Sequence, residues 1–328
     1  MINIIYCGYF LLGLFSSSLI LNNGIKFFKK FFLDNPNKRS LHIKPVPSAG
    51  GLSFIVPLLI YDFISDYFKN FENSLSLSLL CIPLIFISFL DDLLNVSSKY
   101  RYLIQLITAF IILRFSNINL FLINPLSNVF ILIFLVIFIT ASINFTNFMD
   151  GSDGLVAGCM FVLFLIINIK LNSNISTIIL LGSLAAFIYW NWSPARIFMG
   201  DIGSTFLGAY FVANVLQFND MNEIIGLTLI ASPIYGDAFI TIIRRFFKRQ
   251  NIFKAHRQHL YQRLYIGKLS KNQVAILYIF QSSMIGFVYL KLNFIYEIGT
   301  IFACLFIMYL LEIKYAVSFD EAMNNKLI

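Results

Sequence analysis

Long apolar segments alternate with short polar ones along the whole chain. A transmembrane helix needs about 20 consecutive, predominantly apolar residues. Eleven segments approach that length, although several are short and Pro125 interrupts the fifth. The segments are residues 2–23, 50–66, 75–90, 102–116, 119–143, 154–170, 175–190, 204–218, 223–243, 273–290 and 295–311. The pattern predicts an all-α, polytopic membrane protein with about 11 transmembrane helices, and a single integral membrane domain over residues 1–328.

Composition supports the same class of protein. The chain is 59% hydrophobic and 12% charged, with a mean hydropathy of +0.80, whereas a soluble domain carries about 25% charged residues. Four cysteines lie in or near apolar segments without paired spacing, which predicts neither a disulfide framework nor a zinc site. The first apolar segment lacks a basic flank and a small-residue cleavage site, so it is expected to be a span rather than a removed signal peptide.

The basic residues predict an orientation. If the N-terminus is outside, the cytoplasmic segments are 24–49, 91–101, 144–153, 191–203, 244–272 and the tail, and they hold 20 of the 24 Lys and Arg residues. Cytoplasmic loops carry such an excess in membrane proteins. The rule also accounts for most of the net charge of +8, so no nucleic-acid partner is expected.

Six aspartates lie in or beside short polar motifs that interrupt the apolar segments. They are Asp91, Asp92, Asp150, Asp153, Asp201 and Asp237. Carboxylates near hydrocarbon are costly and are usually kept for a metal, a partner or a catalytic task. Alternate threading of the spans places all six on or near the cytoplasmic face, which indicates a metal and phosphate site there.

The first motif is the adjacent pair Asp91-Asp92 at the end of an apolar segment. Neighbouring carboxylates repel each other unless they share a proton or a cation. Lys99, Arg101 or Mg²⁺ could supply that charge. A solvated helix end is the simpler alternative.

The second motif places Asn144, Asn147, Asp150 and Asp153 at a spacing of three. This spacing puts the four side chains near one face if the stretch is helical. Its two Asp-Gly steps predict a turn whose backbone amides can approach an anion.

The third motif runs from Phe198 to Gly208 and contains Asp201. Gly200 and Gly203 are expected to leave room for a phosphate. Asp201 precedes the next span, at the positive end of that helix. A helix N-cap is the structural alternative for this residue.

The fourth motif places Asp237 inside an apolar segment, about two turns before Arg244-Arg245. The sequence leaves open whether this carboxylate is a buried structural acid or part of the site.

The following basic loop contains His256-Arg257-Gln258-His259 and Arg263. The two histidines lack a third zinc ligand nearby. Arginine binds phosphate oxygens in a bidentate manner, which fits a pyrophosphate better. Anchoring to lipid head groups is the alternative.

Together with the loop Asp34–His42 and the Gly50-Gly51 pair, these motifs occur in the order found in the polyprenyl-phosphate N-acetylhexosamine-1-phosphate transferases. The chain resembles that family from about residue 34 to 265. The resemblance implies that undecaprenyl phosphate attacks a UDP-N-acetylamino sugar at the β-phosphorus and releases UMP. It also implies Mg²⁺ as cofactor, with Mn²⁺ as the alternative, a location in the bacterial inner membrane and a cytoplasm-facing active site. A homodimer is compatible with the resemblance.

The same resemblance assigns roles to individual residues. Catalytic roles fall to Asp91, Asp92, Asp150, Asp201 and His259, with Asp201 and Asp150 as metal ligands and the Asp91-Asp92 pair on the lipid phosphate. Substrate contacts fall to Asn147, Asp153, Phe198, Asp237, His256, Arg257 and Arg263, with Asp153 and Phe198 on the uridine.

The chain departs from many relatives after His259, where Leu260-Tyr261-Gln262 replaces further histidines. This form resembles the O-antigen-initiating subgroup that accepts 6-deoxy amino sugars. The peptidoglycan phospho-N-acetylmuramoyl-pentapeptide transferase is the alternative enzyme. A membrane transporter and an inactive lipid-phosphate-binding homologue are the non-enzyme alternatives.

Overall fold

A computed structural model describes residues 2–36, 41, 43–69, 75–118, 125–252 and 256–323. These residues are mostly helical, with two strands of two residues each, which confirms the predicted all-α class. The helices are α1 (Ile2–Phe31), α2 (Leu52–Phe68), α3 (Leu77–Leu80), α4 (Ile82–Leu94), α5 (Ser98–Arg114), α6 (Pro125–Met149), α7 (Leu155–Lys170), α8 (Ile175–Asn191), α9 (Gly200–Val215), α10 (Met221–Ile230), α11 (Ser232–Phe247), α12 (Leu260–Gly267), α13 (Lys271–Lys291) and α14 (Phe294–Tyr315). A two-stranded antiparallel ribbon pairs β1 (Leu33–Asp34) with β2 (Val46–Pro47).

Among the described residues, four helical segments are long and apolar enough to cross a membrane. They are Ile4–Phe31, Asn128–Met149, Lys271–Lys291 and Phe294–Tyr315. Helices α10 and α11 meet at an angle of 78° and add a fifth span if the pair is counted as one span. The prediction of a helical membrane protein is confirmed, whereas the number of about 11 spans stays a prediction. The start of the predicted segment 119–143 lies outside the described residues up to position 124.

Helix α9 lies at the centre of the bundle. Every residue from Ile202 to Val215 is buried, as expected for a helix that is apolar on all sides. It packs against α4 and α6, which carry the first two aspartate motifs. The third motif forms the N-terminal end of α9, so this packing brings three motifs to one end of the bundle.

The outer helices expose large apolar side chains in the manner of lipid-facing surfaces. On α14, Ile295 and Phe302 are 78% and 68% exposed. An aqueous surface would penalise such side chains, whereas lipid tails accommodate them. The outer surface of the bundle is therefore suited to contact with hydrocarbon.

The loop before α2 is fastened to the start of α9 by close backbone approach. The amides of Gly50 and Gly51 donate to the carbonyls of Phe198 and Met199 at 2.9 Å in both cases. A Cβ at Gly51 would lie 2.4 Å from the Cα of Gly203. The space beside Gly203 is filled by Met199 and Gly51, so the expectation that Gly203 leaves room for a phosphate is wrong.

Candidate active site

A guanidinium joins two of the predicted site carboxylates. Arg101, in the first turn of α5, donates from Nη1 to Asp91 Oδ2 at 2.5 Å and to Asp201 Oδ2 at 3.0 Å. Asp91 lies in the last turn of α4 and Asp201 in the first turn of α9. The cation therefore holds together carboxylates from two helices that would otherwise repel each other.

Asp92 occupies the N-terminal end of α9. The amides of Asp201 and Ile202 donate to its two carboxylate oxygens at 3.0 and 3.3 Å. Gly200 has φ +76°, and a Cβ there would lie 2.7 Å from Asp92 Oδ2. An anion is favoured at this position by the helix dipole and the unpaired amides. Asp201 itself lies within the first turn, so its alternative assignment as the N-cap is wrong.

Asn147 connects α6 to the same cluster. Its Nδ2 donates to Asp201 Oδ1 at 3.0 Å and to Ser204 Oγ at 2.9 Å. Asn144, one turn earlier, instead exchanges hydrogen bonds with Gln105 of α5. The spacing of three thus places both amides on the inner side of α6, but only Asn147 reaches the carboxylates.

Burial and neighbouring carboxylates both oppose ionisation in this cluster. Burial, followed by the hydrogen bond with Asp201 and the charge of Asp201, raises the pKa of Asp91 to about 6. Burial and the charge of Asp201 raise the pKa of Asp92 to about 8. Burial and the charges of Asp201 and Asp92 raise the pKa of Asp150 well above its ordinary value. A further cation would relieve this repulsion and favour the ionised carboxylates.

The chemistry of these side chains fits Mg²⁺. Carboxylate oxygens are the hard ligands that this ion prefers, and Arg101 lies between two of them. No three Asp, Glu, His or Cys side chains among the described residues already stand at metal-ligand distances. The predicted ligands are Asp201 and Asp150.

The predicted turn after α6 forms over residues 150–154. The carboxylate of Asp153 is buried and accepts hydrogen bonds from Lys271 Nζ at 2.9 Å and from the Ala195 amide at 3.2 Å. Gly154 adopts φ +73°, and its amide donates to Asn191 Oδ1 at 2.9 Å. Side chains from α8 and α13 thus fix the turn.

Asp237 supports the segment that carries the two histidines, residues 256–264, which we call the histidine loop. The amides of Leu260 and Tyr261 donate to its carboxylate at 2.7 and 3.0 Å, and the Tyr278 hydroxyl donates at 2.8 Å. His259 Nδ1 lies 3.7 Å from the same carboxylate. The contacts of Asp237 are those of a buried acid at the start of α12, and its predicted contact with substrate stays a prediction.

The histidine loop lies against the end of α6. The His259 ring centroid is 6.2 Å from that of Phe148, and the Tyr261 hydroxyl donates to the Phe148 carbonyl at 3.2 Å. The His256 ring lies 4.8 Å from His259. Burial lowers the pKa of His256 to about 3, so this imidazole is neutral near pH 7. His259 thus lies beside Phe148, which directly follows Asn147 in the sequence.

The other predicted substrate residues lie around this centre. Arg263 is buried, and its guanidinium binds Glu312 at 2.7 Å and the Val317 carbonyl at 2.9 Å. Arg257 is buried as well. Phe198 is half-buried, with its amide bonded to the Pro47 carbonyl at 2.8 Å. Their substrate roles stay predictions. Most of the Asp34–His42 motif, at positions 37–40 and 42, lies outside the described residues.

One of the charges that the sequence suggested for the Asp91-Asp92 pair is confirmed, because Arg101 binds Asp91. Lys271, the partner of Asp153, escaped assignment from sequence. It lies 118 positions away from Asp153, and no spacing rule connects the two residues.

Comparison with known proteins gives concordant matches. Residues 74–219 match glycosyl transferase family 4. The chain is 28% identical to a probable undecaprenyl-phosphate N-acetylglucosaminyl 1-phosphate transferase of Bacillus subtilis, covering 86% of this chain and 82% of that protein. It is 27% identical to an undecaprenyl-phosphate α-N-acetylglucosaminyl 1-phosphate transferase of Thermotoga maritima, with 79% and 82% covered. It is 30% identical to a phospho-N-acetylmuramoyl-pentapeptide-transferase of Prochlorococcus marinus, with 75% and 79% covered.

Proposed function

We propose that this chain, which belongs to glycosyl transferase family 4, transfers the 1-phosphate of a UDP-activated N-acetylamino sugar to undecaprenyl phosphate. The products are undecaprenyl-diphospho-sugar and UMP. The observation that carries the proposal is the convergence of Asp91, Asp92, Asn147 and Asp201 on Arg101 and the start of α9. The acceptor, undecaprenyl phosphate, is the one named for the relatives from Bacillus subtilis and Thermotoga maritima.

The reaction forms one phosphorus–oxygen bond and breaks another. An oxygen of the lipid phosphate attacks the β-phosphorus of the sugar nucleotide, and the bond to the α-phosphate breaks with release of UMP. Asp91 and Asp92 orient the lipid phosphate, and any proton on it passes to one of their carboxylates. Asn147 and Asp150 surround the pyrophosphate, while Asp153 and Phe198 contact the uridine. Mg²⁺ held by Asp201 and Asp150 would neutralise the charge of the phosphates.

The proposed topology has about 11 spans, an external N-terminus and the aspartate cluster on the cytoplasmic side of the bacterial inner membrane. The distribution of Lys and Arg supports it. In this topology the shorter helices also cross the membrane, as partly buried spans within the bundle. Two of these shorter apolar helices are Leu155–Lys170 and Ile175–Asn191. UDP-sugars are water-soluble, so a cytoplasmic site would give the donor direct access.

The proposed pathway role is the first step of O-antigen or another envelope polysaccharide. The sequence around His259 supports a 6-deoxy amino sugar, whereas the named relatives use N-acetylglucosaminyl phosphate. The peptidoglycan reaction is the second candidate, because one similar protein is a phospho-N-acetylmuramoyl-pentapeptide-transferase.

The test is UMP release by purified protein in detergent with undecaprenyl phosphate and Mg²⁺. UDP-GlcNAc, UDP-GalNAc, UDP-N-acetylquinovosamine, UDP-N-acetylfucosamine and UDP-N-acetylmuramoyl-pentapeptide are offered separately. We expect UMP from one of the first four, only when the lipid is present. UMP from the pentapeptide donor alone would establish the second candidate. Folded protein that releases no UMP from any donor would contradict the transferase proposal.

Replacement of His259 by Ala is expected to lower turnover about 10²-fold, in the range that positioned proton-transfer groups contribute. The imidazole lies beside Phe148 at the end of α6, while the backbone of the loop remains held by Asp237. Steady-state UMP release measures the change. His256→Ala serves as the matched control, with a smaller expected effect. Equal rates for His259→Ala and wild type would remove His259 from catalysis.

Replacement of Arg101 by Gln is expected to lower kcat about 10²-fold and also to lower the Mg²⁺ concentration needed for half-maximal rate. The guanidinium binds Asp91 and Asp201, so it competes with the metal for these carboxylates while aiding phosphate binding. A Mg²⁺ titration of turnover measures both effects. Arg114→Gln, at the other end of α5, is the matched control. An unchanged Mg²⁺ requirement would show that the two cations do not share the site.

A further inference from the structure

The last described segment of the chain, after α14, folds back onto the histidine loop. Val317 and Arg263 are joined twice: the Val317 amide donates to the Arg263 carbonyl at 3.2 Å, and Arg263 Nε donates to the Val317 carbonyl at 2.9 Å. Gln258 Nε2 donates to the Phe319 carbonyl at 3.1 Å. The two residues bound in this way, Gln258 and Arg263, lie before and after His259 in the sequence.

Phe319 is the anchor of this segment. Its side chain is largely buried, and three cations lie near its ring: Arg244 at 6.0 Å, Lys248 at 5.2 Å and Arg263 at 5.6 Å from the centroid. Cation–π attraction is stronger where the groups are withdrawn from water. Lys248 also binds both carboxylate oxygens of Asp320 at 2.6 Å. Arg244 belongs to α11 and Lys248 follows its last residue, whereas Arg263 belongs to α12. The Phe319 ring therefore connects α11 with α12.

The path from this anchor to His259 is short. Gln258 is fully buried and precedes His259 directly. Its amide nitrogen binds the tail, and its amide oxygen accepts a hydrogen bond from the guanidinium of Arg245. Both ends of the Gln258 amide are therefore held, and the peptide that leads into His259 has little freedom.

A tail that merely covered apolar surface would need neither the bonds to Gln258 and Arg263 nor a ring placed among three cations. Asp237 already holds the loop through the amides of Leu260 and Tyr261. The tail supplies a second support, through Gln258 and Arg263. The chain on either side of His259 in the sequence is therefore held.

We propose that residues 316–322 form a C-terminal latch, anchored by Phe319, that positions the histidine loop for the transfer reaction. Its catalytic part rests on the proposed function, whereas its structural part does not. Phe319 is a positioning residue, because its contacts are with the loop and its cations rather than with a substrate.

The test measures amide hydrogen exchange of the segment 256–264 and turnover in the same preparations. In Phe319→Ala we expect exchange of that segment to be at least about tenfold faster, because a local contact that opposes opening is lost. We expect kcat to fall about tenfold with KM for the sugar nucleotide nearly unchanged, because the loop is misplaced rather than removed. Phe319→Tyr keeps the aromatic ring and should restore both values.

The matched control is Phe302→Ala, which removes an exposed ring from α14 and should change neither quantity. Phe319→Leu keeps an apolar side chain for folding and should still show faster exchange. Wild-type exchange in Phe319→Ala and Phe319→Leu would overturn the latch. Faster exchange with an unchanged kcat would overturn its positioning role. If wild-type protein turned over no donor, the proposed function would fail, while the exchange data would still decide whether the latch exists.

Discussion

Replacing Asp201 by Asn is expected to reduce lipid-dependent UMP release by about 10³-fold or more, since charge stabilisation of this kind is often the largest catalytic contribution. Asp201 receives contacts from Arg101 and Asn147 and lies beside Asp91 and Asp92. It is thus the shared member of the cluster. Asn has nearly the same shape but lacks the negative charge that a divalent cation requires.

The fold should survive this change because Asp201 is 36% exposed at its side chain and its replacement leaves no buried charge unpaired. Glu223→Gln is the matched control. Glu223, on α10, is 30% exposed and binds Lys170 at the C-terminal end of α7. The Asp153 turn precedes the opposite end of α7, so the control is remote from the cluster. We expect the control to retain near-normal turnover. Near-normal turnover of Asp201→Asn at limiting Mg²⁺ would exclude Asp201 as the metal ligand.

The convergence of the site could be predicted from sequence because it depends on alternation. Successive spans reverse direction, so motifs separated by an even number of spans return to the same face. Asp91, Asp92, Asp150 and Asp201 indeed lie together at one end of the bundle. Asp153 is in the adjoining turn, bonded to Lys271.

The internal partners could not be predicted in this way. The N-terminal end of α9 is occupied by Asp92, 109 positions before Asp201, whereas a local pattern suggests that Asp201 caps its own helix. Gly203 packs on Gly51 from a distant loop, so its small size serves helix packing rather than phosphate access. Such contacts depend on how helices pack, and no period or spacing within one segment encodes them.

Replacing Asp237 by Asn is expected to lower both stability and turnover. The buried carboxylate accepts hydrogen bonds from the amides of Leu260 and Tyr261 and from the Tyr278 hydroxyl. An Asn side chain offers one oxygen in place of two and turns an NH₂ group toward a donor. Hydrogen bonds to a charged acceptor are worth about 1.5–3 kcal/mol each, and the donor left unpaired adds its own desolvation cost. A loss of about 3 kcal/mol, measured as a lower apparent Tm in detergent, is therefore expected.

Turnover should fall further than stability alone requires, because α12 begins at the residue after His259 and its first two amides are the ones that Asp237 holds. Assays well below the lowered Tm separate the two effects. Tyr278→Phe removes one donor but leaves both amide contacts, so it should cost about 1 kcal/mol and spare most activity. Tyr289→Phe, at the far end of α13, controls for loss of a tyrosine hydroxyl that binds an acid, Glu223. If Asp237→Asn lost stability but kept full kcat at low temperature, the carboxylate would be structural only. The loop that carries His259 would then keep its working position without this support.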